Sequence, residues 1–191
     1  MGRLARLLAA ATPALALLAL AGCATPASPD RMSIAPDRTA AATPGARGYR
    51  ALSVGPVGGG GETNPLWMTD ISNGALHEAL EASLRELGYL ADGQGAYVVA
   101  ADIVELDRPW ASKVHPILAI MPVDMSVSVR IRYVVRPAQG GAAVFDDVVG
   151  TTGTATADDS LAPDARMRKA TEAAVQANLA EFVARLRTSW R

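Results

Sequence analysis

The clearest pattern in the chain is an alternation. Val123, Met125, Val127, Val129, Ile131, Tyr133 and Val135 fall on every second position, with Asp124, Ser126, Ser128, Arg130 and Arg132 between them. Side chains on a strand point to its two faces in turn, so the segment predicts a strand with one apolar and one wet face. Such a strand suits an antiparallel sheet covered on one side better than a parallel sheet buried on both. A second pattern has helical spacing. Leu76, Leu80, Leu84 and Leu87 form a stripe that extends back toward Trp67 and Ile71, and His77, Glu78, Glu81, Arg85 and Glu86 fall mostly off it. This is an amphipathic helix with one core face. Asn64 is a good N-cap and Pro65 suits a first turn, so the helix is expected to start at Asn64-Pro65-Leu66-Trp67 and to end before Gly88. Gly74 within it costs about 1 kcal/mol relative to Ala, so either a close contact requires it or the first turns are a separate segment.

The remaining elements follow from shorter signals. YRALSVGPV, residues 49–57, reads as a first strand that runs into the glycine loop Gly58 to Gly61. AYVVAADIVEL, residues 96–106, is β-branched and stops at Arg108-Pro109, a second strand. After the turn Arg136-Pro137-Ala138-Gln139-Gly140-Gly141, residues 142–155 return as a fourth strand, with Gly150 and Gly153 as candidate bulges. Asp159 or Ser160 then caps a long final helix striped by Met167, Val175, Leu179, Phe182, Leu186 and Trp190, with Arg166, Arg168, Lys169, Arg185 and Arg187 around the stripe. The order is β-α-β-β-β-α. An α+β two-layer sandwich, a four-stranded mixed or antiparallel sheet with two helices on one face, buries every stripe. The opening strand-helix-strand unit makes a parallel crossover, so the sheet is expected to be mixed.

The first residues stand apart from this domain. Arg3 and Arg6 precede an Ala/Leu run to Leu20, the plan of a secretory leader. The run is broken by Pro13 and is shorter than the roughly 20 apolar residues that span a bilayer. Leu20-Ala21-Gly22-Cys23 resembles the lipobox of bacterial lipoproteins, which implies cleavage before Cys23 and lipidation, palmitate included, at that residue. Residues 1–22 are then the signal peptide. Residues 23–48 carry Pro26, Pro29, Pro36 and Pro44 among Ala, Thr and Ser and read as the lipidated cysteine and a flexible tether. If extended, such a tether would hold a domain up to roughly 70 Å from the membrane. Met32 to Ile34 could instead pack on the domain, which is expected over 49–191.

Charge and cysteine content narrow the chemistry. Without Arg3 and Arg6 the 18 basic residues fall to 16 against 19 acidic ones, a balance that does not suggest nucleic acid or an anionic surface as the main partner. Cys23 is the only cysteine, and once acylated it leaves no thiol for disulfides, catalysis or metal. His77 and His115 have no ligand-spaced neighbours, so no metal and no cofactor is expected. Gly58 to Gly61 lack the Lys-Ser/Thr ending of a phosphate loop and read as a flexible connector. Asp146-Asp147 and Asp158-Asp159 are adjacent residues, which point apart on a strand and suit turns, caps and solubility. No catalytic residue is expected, and the chain reads as a non-enzyme.

Two apolar stretches remain. WASKVHPILAIMPV, residues 110–123, places Ile117, Leu118, Ile120 and Met121 between Pro116 and Pro122; it is either a contact loop or an extension of the third strand under a helix. Leu66 and Trp67 are either core or a binding hot spot. Together these six residues are the candidate partner-binding set.

The lipobox, the Pro/Ala segment and the order strand, helix opening on Asn64-Pro65-Leu66-Trp67, three strands and helix resemble the small α+β envelope lipoproteins of Gram-negative bacteria. Among these are the auxiliary lipoproteins of ABC-type phospholipid transport and the lipoprotein of lipopolysaccharide assembly. The resemblance implies a domain anchored in the membrane by its lipid, docking on an envelope protein of a lipid or lipopolysaccharide transport system. Ala24 in place of Asp resembles the outer-membrane sorting pattern and implies the periplasmic side of that membrane. A lipid- or glycan-binding module without a protein partner is the alternative, and an enzyme on envelope lipid a third.

Overall fold

The computed structural model describes residues 25–35, 40–63, 69–108, 124–160 and 162–190. They form α1 (Pro29–Met32), β1 (Leu52–Gly58), α2 (Asn73–Glu86), β2 (Tyr97–Asp107), β3 (Met125–Pro137), β4 (Phe145–Ala155) and α3 (Pro163–Ser189). The four strands lie side by side in the order β1-β2-β3-β4. β1 runs parallel to β2, and β2-β3 and β3-β4 are antiparallel. The fold is thus the expected α+β arrangement, a mixed sheet with α2 and α3 packed against it, to which the short α1 is added.

The alternation in β3 is realised from Met125 on: Met125, Val127, Val129, Ile131, Tyr133 and Val135 are all buried, and Val123 lies outside the described residues. Beneath them α3 runs antiparallel to β4, with Thr151 Oγ1 donating to the Ala174 carbonyl and Asn178 Nδ2 to that of Val149. Phe182 stacks on Tyr133 at 4.1 Å between centroids and meets Phe145 edge-on at 5.6 Å. On α2, Leu76, Leu80 and Leu84 are buried, as is Leu87 at its C-cap, as the stripe requires.

Several expectations are corrected. A helix unbroken from Asn64 is contradicted by residues 69–72, which belong to no helix. α2 begins at Asn73, because the Ser72 side chain accepts the Ala75 N–H at 3.1 Å and supplies the cap. Gly74 has no close packing to serve, since a Cβ there would meet only Ser72 Oγ at 4.0 Å. The β3-β4 register is continuous through Gly150 and Gly153, so neither is a bulge; the irregularities fall between Val54 and Val57 and between Ile103 and Glu105. Gly153 instead marks a close approach of helix to strand, for a Cβ would lie 2.2 Å from the Ala170 carbonyl oxygen. α3 starts at Pro163, beyond both residues expected to cap it. Asp159 instead closes the preceding turn by accepting the Thr156 N–H at 2.8 Å.

The largest correction concerns residues 23–48. Their described part is no free tether. Ala27 and Met32 are buried in the core, with Ile34, Ala40 and Ala42 packed against it. This strap climbs along the two helices. Ser28 N–H donates to Glu172 Oε1 at 2.9 Å, the Ser33 carbonyl accepts from Gln176, Ile34 N–H donates to Ser83 Oγ and Ala42 N–H to the Leu87 carbonyl. Its prolines do not prevent packing. Pro29 begins α1, where its missing N–H costs nothing.

Candidate functional site

Cys23, Leu66, Trp67, Ile117, Leu118, Ile120 and Met121, together with His115, lie outside the described residues. Their flanks do not, and the topology brings those flanks to one end of the sheet. β2 closes there at Asp107, β3 opens at Met125 opposite Ala155 at the close of β4, and α3 begins a few residues later. Because β1 is parallel to β2, its exit and the start of α2 are at the same end, where Gly60 N–H donates to Asn73 Oδ1 at 2.7 Å.

Polar contacts join these flanks to Thr25, the first described residue of the strap. Thr69 Oγ1 donates to the Thr25 carbonyl at 3.0 Å, and Arg168 donates to the Thr25 hydroxyl. Asp70 pairs with Arg108 at 3.0 Å; their side chains are only 25% and 10% exposed, so both charges are partly withdrawn from water. Asp70 Oδ1 also accepts the Ile71 N–H, and the Asp70 N–H donates to Thr63 Oγ1. A half-buried ion pair whose carboxylate is further hydrogen-bonded resists separation, because removing either partner strands the other charge. Thr63, Thr69, Asp70 and Arg108 thereby hold the roots of residues 64–68 and 109–123 beside Thr25.

The glycine loop belongs to this end and is not the flexible connector expected. Gly59 has a positive φ of 73° and sits so close to β2 that a Cβ would lie 2.1 Å from the Ile103 carbonyl oxygen. Gly60 and Gly61 spend their N–H groups on Asn73 Oδ1 and the Ile71 carbonyl, so these two donors are already engaged within the chain.

The carboxylate pairs serve structure. Asp146 takes a two-pronged contact from Arg132, 2.8 Å at each oxygen, and Asp147 binds Arg185 of α3 at 2.8 Å. The Arg132 guanidinium holds the Asp146 carboxyl below its ordinary range, Arg185 does the same for Asp147, and Lys169 for Asp159. His77 lies 4.0 Å from Glu81 on the same helix. Among the described residues no group of three or more His, Cys, Asp or Glu gathers as metal ligands would.

Sequence reasoning missed three features. Arg166, expected beside the stripe of α3, is buried at its N-terminal end, with Nη1 donating to the Ser160 carbonyl at 3.1 Å. Asn178 is buried under the sheet, where its Oδ1 accepts from Tyr133 Oη at 2.8 Å; burial pushes the Tyr133 phenol well above its ordinary value. At the opposite end of the domain Arg47 lies over the rings of Tyr97 and Trp190, 5.4 and 5.8 Å from their centroids, beside a hollow of about 230 Å³. None of these carries a periodic signal. Each depends on residues brought together from distant parts of the chain.

No protein family and no curated protein matches the chain. Solved structures do resemble it. A Xanthomonas campestris protein of the DUF330 family superposes with a TM-score of 0.53 and 12% identity, over 78% of this chain and 91% of that one. A Chlamydia trachomatis protein gives 0.48 and 14%, over 71% and 94%. A Caulobacter crescentus protein assigned as a lipoprotein gives 0.43 and 13%, over 75% and 89%. The likeness to the Xanthomonas protein is one of fold. Among the described residues no helix is long and apolar enough to cross a membrane.

Proposed function

We propose that the chain is a non-enzymatic lipoprotein, anchored through Cys23 on the periplasmic side of the outer membrane. It docks there on an envelope protein as an accessory of a lipid or lipopolysaccharide transport or assembly system. The observation that carries this reading is Leu20-Ala21-Gly22-Cys23 behind a charged and apolar leader, two residues ahead of Thr25, which is bonded to the domain through Thr69. The partner contacts fall to Leu66, Trp67, Ile117, Leu118, Ile120 and Met121. Supporting this assignment, the flanks of both stretches converge beside Thr25, so one partner standing at the membrane could reach both.

Crosslinking in intact cells, with purification through a C-terminal tag, tests the proposal. A component of an envelope lipid or lipopolysaccharide transport system is expected on the wild type, lost from Cys23→Ser and weakened in Trp67→Ala at unchanged stability. If that component is absent, or is captured equally by Cys23→Ser, the reading fails. If Trp67→Ala lowers only stability, Trp67 is core.

A further inference from the structure

We infer that, once Cys23 carries its lipid, the end of the domain at which β2 closes and β3 opens is held facing the lipid headgroups, with no spacer between anchor and body. The inference rests on the lipidation proposed above. Only Ala24 separates Cys23 from Thr25, and two residues of fully extended chain reach at most about 7 Å. Thr25 is already part of the body, held by Thr69 and Arg168. No slack follows it. Ser28 is bonded to Glu172, and Ala27 and Met32 are buried, so lengthening the connection would mean stripping the strap from the core.

The fold turns this short connection into an orientation. α3 begins near Thr25 and runs 27 residues to the far end, about 40 Å at the helical rise. β3 runs the same way and ends in the turn that contains Gln139. An anchor attached at one end of so elongated a body presents that end to the membrane and holds the other away from it.

Charge alone would do the opposite. The near end exposes Glu62, Asp107, Asp124, Asp158 and Asp159 against Lys169, while at the far end exposed Arg47, Arg50 and Arg136 stand with exposed Asp92 and Asp146. An anionic membrane would repel the near end of an unanchored domain more than the far end. The orientation is therefore set by the acyl chains and the chain length, and added salt leaves it in place.

The test uses the full, lipidated protein reconstituted in vesicles of phosphatidylcholine and anionic phosphatidylglycerol that contain a lipid with a nitroxide on its headgroup. With Cys23 acylated, the single thiol of Asp158→Cys or of Gln139→Cys takes a fluorophore; both native side chains are exposed. The nitroxide is expected to quench the Asp158→Cys label and leave the Gln139→Cys label bright, at low and high salt alike. A Gly/Ser spacer of about 20 residues inserted between Ala24 and Thr25, enough for a root-mean-square reach of roughly 25 Å, is expected to abolish the contrast. Equal quenching of both labels in acylated protein that floats with the vesicles overturns the seat and leaves lipidation standing, as does a contrast that survives the spacer. Protein of unacylated mass that does not float overturns lipidation and the seat together.

Discussion

Asn178 shows how much of the core hangs on a single polar side chain. Its Oδ1 accepts the Tyr133 hydroxyl, and its Nδ2 donates to the Val149 carbonyl at 2.8 Å and to Thr151 Oγ1 at 3.2 Å. Sheet and helix are thus joined through polar groups of which Asn178, Tyr133 and Val149 are fully buried. A buried donor or acceptor left without its partner costs about 1–3 kcal/mol, more than the bond itself contributes to stability. Asn178→Ala is therefore expected to lower stability by about 1–3 kcal/mol for each stranded partner, read as a lower urea midpoint at unchanged slope. An unchanged midpoint would mean that water reaches the site. The sequence does not announce this residue, because one Asn among Ala, Val and Leu on a helix has the look of a solvent position. Its burial follows from Tyr133 and Val149 arriving from the sheet. Arg166 was illegible for the same reason. Its long side chain is buried at the start of α3 and bonded to the Ser160 carbonyl six residues back, a reach that a helical wheel does not express.

At the scale of elements, legibility follows periodicity. The alternation of β3 and the leucine stripe of α2 are local records of a buried face, and both are realised at every position among the described residues. Signals made of single residues fared less well. Asn64-Pro65 has the form of a helix start, yet Ser72 caps α2, and between them Thr69 and Ile71 are buried in non-helical chain. The strap left no periodic trace at all. Its buried side chains, Ala27 and Met32, are five positions apart, and its hydrogen bonds reach residues as distant as Glu172. A segment of Pro, Ala and Thr therefore passed for a spacer when it is a wall of the core. Met32 decides between the two: truncating a buried Met costs about 2–5 kcal/mol, whereas in a free tether it costs almost nothing. Met32→Ala in the mature domain is expected to fall in the first range in a denaturant titration, and a midpoint equal to the wild type would return residues 25–35 to the status of a linker.

For the whole molecule, the strap changes what anchoring means. A domain on a long tether could search for a partner tens of ångströms from the membrane; a domain packed from Thr25 onward stays where its lipid is. Exposed Asp107, Asp124 and Asp158 mark the end beside Thr25, and exposed Arg47 and Arg136 the far end. The candidate contacts at Leu66, Trp67 and Ile117 to Met121 were singled out in the sequence by composition alone. The structure adds the position of their flanks, joined through Asp70 and Arg108 beside Thr25. All of this depends on the fate of one residue. Growth of the native bacterium, or of a host that processes the leader, with radiolabelled palmitate is the most direct measurement. The wild type is expected to carry label and Cys23→Ser to carry none; a wild type without label, or a Cys23→Ser variant that retains it, contradicts the account.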